Sequence, residues 1–240
     1  MPGHPDLQEK ARRPNSFDAP ELTVLEGATA ENAPVGDRPD ATARRVKRGL
    51  DVVVAGLLFV CLAPALVAIA VGIKLSDWGP VLHRRRVVGR GGRSFDAFKF
   101  RTMRVEADQL IKADAALWAA YVTNYKLPGD PRITRFGRLL RKYSLDELPQ
   151  LFNVLRGEMS LVGPRMVTEA ELPRYGDRVG ELLSVRPGIT GLWQVSGRQT
   201  TTYERRVELD MFYIDHWSLW LDLQILSKTP LVVMRAQGAF

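Results

Sequence analysis

The feature that most constrains the fold of this chain is an uncharged run from Val52 to Ile73, 22 residues long, with Pro64 near its middle. At 1.5 Å of rise per residue, a continuous helix of that length is long enough to cross a hydrocarbon core. So long an uncharged stretch is rare in a soluble core, and the segment reads as membrane-inserted. Basic residues flank both ends: Arg44, Arg45, Lys47 and Arg48 before it, Lys74, His83, Arg84, Arg85, Arg86, Arg90 and Arg93 after it. Such clusters favour the cytoplasmic side, and a simple span cannot put both there. Pro64 removes one backbone hydrogen bond and clashes with the preceding turn, which bends a helix. A helix that enters, breaks at Pro64 and returns keeps both clusters on one face. The expectation is a re-entrant helix hairpin over residues 44–75, with the freed backbone groups paired internally, although a proline kink is also tolerated in a spanning helix. The single cysteine, Cys61, excludes an intramolecular disulfide and a cysteine-based zinc site, and in this apolar run it is expected to be a small packing residue.

Charge is unevenly spread. The net charge is +7, yet residues 1–43 carry four basic and eight acidic side chains. That stretch also holds six of the fifteen prolines and has no sustained apolar period. It reads as a disordered tail, since it buries too little surface to offset the entropy of ordering. No apolar core follows the initiator methionine, so it does not read as a signal peptide. The excess of positive charge beyond residue 43 points to a polyanionic partner: nucleic acid, an anionic bilayer surface or phosphorylated substrates. A nucleic-acid binder explains the charge but leaves the apolar run unexplained, and no reader motif is recognisable. No nucleic acid partner is expected.

Residues 76–240 read as a compact cytoplasmic domain. Val81–Val88 and Ser94–Phe100 look like two short strands joined by Gly89-Arg90-Gly91-Gly92-Arg93, a hairpin signal, although a solvated charged loop has the same composition. Residues 103–125 have helix-compatible spacing and stop at Pro128-Gly129-Asp130-Pro131. From Ile133 to Tyr143 apolar residues alternate with arginines. That suits an amphipathic helix on an anionic membrane face, and equally a surface helix packed on the core. The fold class expected is α-rich α+β: the membrane hairpin, amphipathic interfacial helices, and a small catalytic domain with a short β-hairpin.

The most informative stretch runs from Tyr143 to Arg165. It places adjacent carboxylates, Asp146 and Glu147, ahead of an apolar segment and among Arg132, Arg135, Arg138, Arg141, Lys142, Arg156 and Arg165. A carboxylate pair in a cationic setting suits handling of an anion, with a metal ion or a phosphate as candidates. Ser144-Leu145-Asp146-Glu147 has the form of a capping box, which would make Glu147 structural. Pro149 would then fall at the fifth helical position, whereas Asp146 as the cap puts Pro149 in the first turn. Either way Asp146 is expected at a helix N-terminus, where the dipole and free N–H groups keep it ionised.

This stretch also resembles the signature of the bacterial sugar transferases, the monotopic phosphoglycosyl transferases. Further blocks follow in the family order. Lys47-Arg48-Gly49-Leu50-Asp51 resembles the motif that opens the membrane segment. Lys99-Phe100-Arg101-Thr102-Met103 and Asp130-Pro131-Arg132-Ile133-Thr134 resemble two central blocks. The run from Arg186 to Arg198 is similar to the late glycine-rich motif, and Asp210–Ile214 with Trp217–Asp222 to the C-terminal portion. The likeness covers nearly all of residues 46–240. Two positions depart from it: Met166 stands where the family commonly has proline, and Ala63 where it often has serine.

The resemblance implies a reaction. Asp146 would attack the β-phosphorus of a UDP-sugar, release UMP and carry a sugar-phosphoryl group to polyprenyl phosphate. Mg²⁺ held by Asp146 and Glu147 would neutralise the assembled anions. Lys99, Arg101 and Arg165 are candidates for diphosphate contacts; Arg186, Gln194 and Arg198 for phosphate or nucleotide. Gly188, Gly191 and Gly197 are expected to serve turn geometry as much as substrate approach. Trp193, Trp217 and Trp220 read as core or interfacial anchors. The implied location is the bacterial inner membrane, with membrane lipids as partners and the catalytic domain facing the cytoplasm. The sugar, glucose or galactose, is suggested by likeness to exopolysaccharide-initiating members. The alternative is a non-catalytic membrane scaffold for polysaccharide assembly, in which Asp146 is dispensable.

Overall fold

The computed structural model describes residues 41–114, 117–119, 127, 129–197 and 202–235. The tail up to residue 40 lies outside the described residues; residues 41–43 belong to the first helix. Helix α1 spans Ala41–Cys61 and α2 spans Ala63–Asp77. The two meet at a 60° bend, and no single helix among the described residues is long and apolar enough to cross a membrane. Pro64 explains the break. It sits in the first turn of α2, where its missing N–H is tolerated, whereas inside a continuous helix it would lack its bond to the preceding turn. Val53, Leu57, Val60, Val67, Val71 and Leu75 are all more than half exposed on this pair. Cys61, expected to be packed, is exposed at the bend.

The start of α1 is fastened to the rest of the chain by three side chains. Asp51 is buried and accepts from the Ser160 hydroxyl (2.8 Å) and the Leu161 N–H (3.0 Å), both in strand β3, Ser160–Val162. Lys47 donates to Asp222 (2.6 Å) and to the Val162 carbonyl (3.0 Å). Arg48 donates to the carbonyls of Val154 (2.7 Å) and Leu155 (3.1 Å). Those carbonyls lie near the end of a helix we number α5, Gln150–Arg156, which Gly157 terminates at φ 81°.

The β-hairpin forms as its sequence predicts. β1, Leu82–Val88, pairs antiparallel with β2, Ser94–Phe100, in a register that sets His83 opposite Lys99 and Arg85 opposite Ala97. The turn contains Gly91 and Gly92 at φ 72° and 73°, values that favour glycine. Asn153, fully buried on α5, accepts from the Phe98 N–H and donates to the Asp96 carbonyl, which pins β2 to α5.

The helix expected over 103–125 is shorter. α3 covers Ala107–Lys112, and helix resumes at residues 117–119; residues 115–116 and 120–126 lie outside the described residues. The break has a local cause, because Asp114 Oδ1 accepts from the Leu117 N–H and starts a new turn as a cap does. Helix α4, Arg135–Lys142, begins at Thr134, whose hydroxyl caps the Gly137 N–H at 2.8 Å. It packs on the core, with Leu140 buried and Phe136 against α2, while Leu139 faces outward.

A second, parallel strand pair was not legible in the sequence. β3 pairs with β4, Gly188–Thr190. The two glycine-containing motifs meet here backbone to backbone. A Cβ on Gly188 would lie 2.2 Å from the Gly163 nitrogen, and one on Gly191 would lie 2.1 Å from the Gly163 carbonyl oxygen. Beyond β3, 3₁₀ turns over Glu169–Arg178 lead to α6, Val179–Leu182. The chain then runs through α7, Leu192–Val195, α8, Tyr203–Asp215, and α9, Leu219–Arg235. Helix α9 exposes Trp220, Leu223, Leu231 and Met234.

Removing the Asp51 carboxylate strands the buried Leu161 N–H. An unsatisfied buried donor costs about 1–3 kcal/mol. Asp51→Ala is expected to lose about 2 kcal/mol in denaturant unfolding of the micelle-bound protein. Asp51→Asn keeps an acceptor oxygen and should lose clearly less.

Candidate active site

Asp146 and Glu147 occupy a single 3₁₀ turn, Leu145–Glu147, between α4 and α5. Neither capping arrangement expected from the sequence forms. Ser144 adopts a left-handed conformation (φ 52°) with no side-chain cap, and Pro149, not Asp146, precedes the first residue of α5. A positive φ is uncommon for a non-glycine residue, and here it reverses the chain directly before the carboxylates. Leu145 and Leu148 flank the pair and pack into the cluster of Ile69, Ile73, Phe100 and Leu140. Helix α2 thus lies directly against the turn that carries both acids.

The hairpin supplies cations. Lys99 Nζ is 2.6 Å from Glu147 Oε1, and an Arg165 Nη lies 3.9 Å from the same oxygen. Arg141, held by a 2.8 Å bond from its Nε to the Thr102 hydroxyl, and Lys99 both favour the ionised form of Asp146. They do not prevail. Burial, and then repulsion from Glu147, push the Asp146 carboxyl above the usual aspartate range, which corrects the expectation of a helix terminus holding it ionised. His83 is pushed down by burial and by Lys99, Arg85 and Arg141, so it is neutral near pH 7.

Asp146, Glu147, Lys99 and Arg165 therefore come together. Other candidates lie elsewhere. Arg101 pairs with both oxygens of Asp77 at the end of α2 and also donates to the Pro80 (2.5 Å) and Met103 (3.1 Å) carbonyls. Arg186 donates to the Gly157 carbonyl at 2.8 Å, at the end of α5. Gln194 Nε2 reaches the Ile189 carbonyl at 3.4 Å. Arg198 lies outside the described residues.

The sequence reading passed over Arg85, Arg206 and Tyr203. Strand alternation carried a signal for the first, since the period of two puts His83 and Arg85 on the Lys99 face and Arg84 and Arg86 on the other. Trp193 is half-buried, and guanidinium groups of Arg165 and Arg206 lie 5.1 Å and 5.3 Å from its ring centroid.

No group of three or more His, Cys, Asp or Glu side chains forms a metal-ligand cluster among the described residues. The two adjacent carboxylates are a set suited to a hard divalent cation that fills its remaining positions with water and phosphate oxygens. Their mutual repulsion and the burial of Asp146 are what such a cation would relieve.

The profile of the bacterial sugar transferase family matches residues 42–236. The chain belongs to that family. It is 43% identical over 203 residues to undecaprenyl-phosphate galactose phosphotransferase of Salmonella typhimurium, covering 83% of this chain and 42% of that protein. It is 41% identical over 198 residues to UDP-glucose:undecaprenyl-phosphate glucose-1-phosphate transferase of Xanthomonas campestris pv. campestris, covering 79% and 39%. Identity to the exopolysaccharide production protein ExoY of Sinorhizobium fredii is 43% over 198 residues, covering 81% and 88%. The chain thus spans less than half the length of the first two relatives and most of the third.

The raised Asp146 value carries a stability sign. Its ionised form is less favourable in the folded than in the unfolded chain, so the penalty is absent well below the ordinary value of 3.8 and fully present above the raised one. Asp146→Asn is therefore expected to melt higher than wild type at pH 7.5. The gap should close as pH falls towards 3.8, as a series of thermal melts would show.

Proposed function

We propose that this protein transfers a sugar 1-phosphate from a UDP-sugar to polyprenyl phosphate, through a covalent sugar-phosphoryl group on Asp146, and so starts the assembly of an exopolysaccharide or related glycan. The observation that carries this reading is the Asp146–Glu147 turn, ringed by Lys99, Arg141 and Arg165 and seated against α2. A water-soluble donor and a lipid acceptor need a site at just such a boundary.

In the first step an Asp146 carboxylate oxygen bonds to the β-phosphorus. The bond from that phosphorus to the bridging oxygen breaks, and UMP leaves with the electron pair. In the second step a phosphate oxygen of the polyprenyl carrier attacks the same phosphorus and frees Asp146. No proton is removed from the nucleophile, so no general base is needed. Lys99 and Arg165 meet the charge of the diphosphate. Mg²⁺ on Asp146 and Glu147 would supply further neutralisation. The relatives' names point to galactose or glucose as the sugar.

The membrane arrangement belongs to the same proposal. Lys47, Arg48 and Asp51 at the start of α1, and Ile69 and Ile73 in α2, contact one and the same domain, which lies on one side of a bilayer. About ten residues of α1 lie beyond Asp51, a depth of about 15 Å, half of a hydrocarbon core. The bent pair is re-entrant on this reading, and the domain faces the cytoplasm at the inner membrane.

Two experiments test this. UMP release from UDP-galactose and UDP-glucose should require polyprenyl phosphate, stop with EDTA, resume with Mg²⁺ and fall at least a thousandfold in Asp146→Asn. Near-normal release in that variant would remove Asp146 from the mechanism and favour the scaffold. In a Cys61→Ser background, cysteines placed at Arg44 and Lys74 should both be labelled from the cytoplasmic side of sealed vesicles; labelling from opposite sides would establish a span.

A further inference from the structure

A second group of polar side chains adjoins the carboxylate turn and has no role in the scheme above. Arg206, on α8, is 8% exposed. Its guanidinium lies 5.3 Å from the Trp193 ring centroid and 4.9 Å from that of Tyr203, which Arg174 also approaches at 4.3 Å. Its Nε and Nη2 are buried without a hydrogen-bond partner among the described residues. These two atoms form the guanidinium edge whose parallel N–H groups match a carboxylate or phosphate in bidentate fashion.

The nearby acids do not fill that edge. Asp210 Oδ2 stands 3.7 Å from Nε, and Glu171 Oε1 stands 3.8 Å from Nη1, both beyond hydrogen-bond reach. Asp210 is engaged by the Tyr175 hydroxyl (2.9 Å) and the Arg165 N–H (3.2 Å). Glu171 is engaged by Thr168 (2.9 Å, from both its N–H and its hydroxyl) and by Arg85 (3.3 Å). Trp193 Nε1 and the Tyr203 hydroxyl are likewise buried without a partner among the described residues.

Buried polar atoms are nearly always paired, so four donors left over on three touching side chains call for an acceptor. Positive charge also exceeds negative here, with Arg85, Arg165, Arg174 and Arg206 around Glu171 and Asp210. A set dominated by donors, with excess positive charge, suits an oxyanion. The group is joined to the carboxylate turn through Arg165, which lies 5.1 Å from the Trp193 ring and 3.9 Å from Glu147.

We propose that Arg206, walled by Trp193 and Tyr203, binds a phosphate monoester beside the Asp146–Glu147 turn. This rests on the transferase reading, in which two such monoesters occur: UMP, the leaving group, and polyprenyl phosphate, the acceptor. Because the Arg206 edge is sealed from water, ligand entry moves a covering side chain aside.

The test is equilibrium binding of UMP, and separately of farnesyl phosphate, to the full chain in detergent. Wild type is compared with Arg206→Gln, Tyr203→Phe and Trp193→Phe, with melting temperatures taken in parallel. Arg206→Gln should weaken one ligand at least tenfold, and the other two variants should weaken that same ligand severalfold. Loss confined to UMP assigns the site to the nucleotide; loss confined to farnesyl phosphate assigns it to the lipid carrier. Tyr203→Phe discards only an unpartnered hydroxyl, so it should melt at or above wild type while binding less. Unchanged binding of both ligands in folded variants, or no wild-type binding of either, overturns the site. If Arg206→Gln does not fold, the two aromatic variants decide. Wild-type UMP release, measured on the same sample, separates the two readings: turnover with unaltered binding sinks this site alone, and absence of turnover sinks the transferase.

Discussion

Everything else in this structure depends on how the first helix is tied down. Asp51 is a buried acid whose partners, the Ser160 hydroxyl and the Leu161 N–H, are more than a hundred residues away. Lys47 and Arg48 reach equally distant carbonyls and Asp222. Asp222 in turn accepts from the Tyr213 hydroxyl and the Trp217 indole. Removing one member of such a group leaves the others buried and unpaired, which is why a few side chains can fix a whole helix. Ala55 is buried, but Val52, Val53, Leu57, Leu58 and Val60 of α1 are exposed, so hydrophobic burial within the chain contributes little to holding the helix.

The latch also sets the position of the site. With α1 fixed on β3 and α5, the 60° bend after Cys61 brings α2 back over α4 and the carboxylate turn. At Gly72 a Cβ would lie 2.9 Å from the Phe136 ring, so the two helices approach as closely as a glycine allows. Strand β3 in turn meets β4 through Gly163, Gly188 and Gly191, where no side chain fits between the two backbones. The path from Asp51 to Arg165 is therefore a few residues of β-structure held at main-chain contact.

Local patterns were legible in the sequence, and long-range partners were not. The hairpin was legible because alternation and a glycine-rich turn are short-range signals, and the bend because proline acts on its own helix. Asp146, Glu147, Lys99 and Arg165 were legible as a charged set with a family likeness. Nothing near Arg101 in sequence reveals Asp77 as its partner. Arg206, four residues from Asp210, carried no signal of its own in the sequence. Its position between two aromatic rings arises only when α7 and α8 pack. The three-residue strands β3 and β4 are too short and too rich in glycine neighbours to show a period. The cap readings failed at Ser144, because a left-handed serine is a tertiary outcome that propensity does not foresee.

The distribution of charge around the two acids is more telling than its amount. Lys99 pairs with Glu147, whereas Asp146 has no side-chain ion pair among the described residues. A direct salt bridge to Asp146 would draw down its basicity and occupy the oxygen that the proposed chemistry needs. Glu147 takes that contact instead, and its charge then raises the neighbouring carboxyl. The Asp146 carboxyl is thereby more basic than a free aspartate. Burial of the carboxyl is the largest cause of the shift.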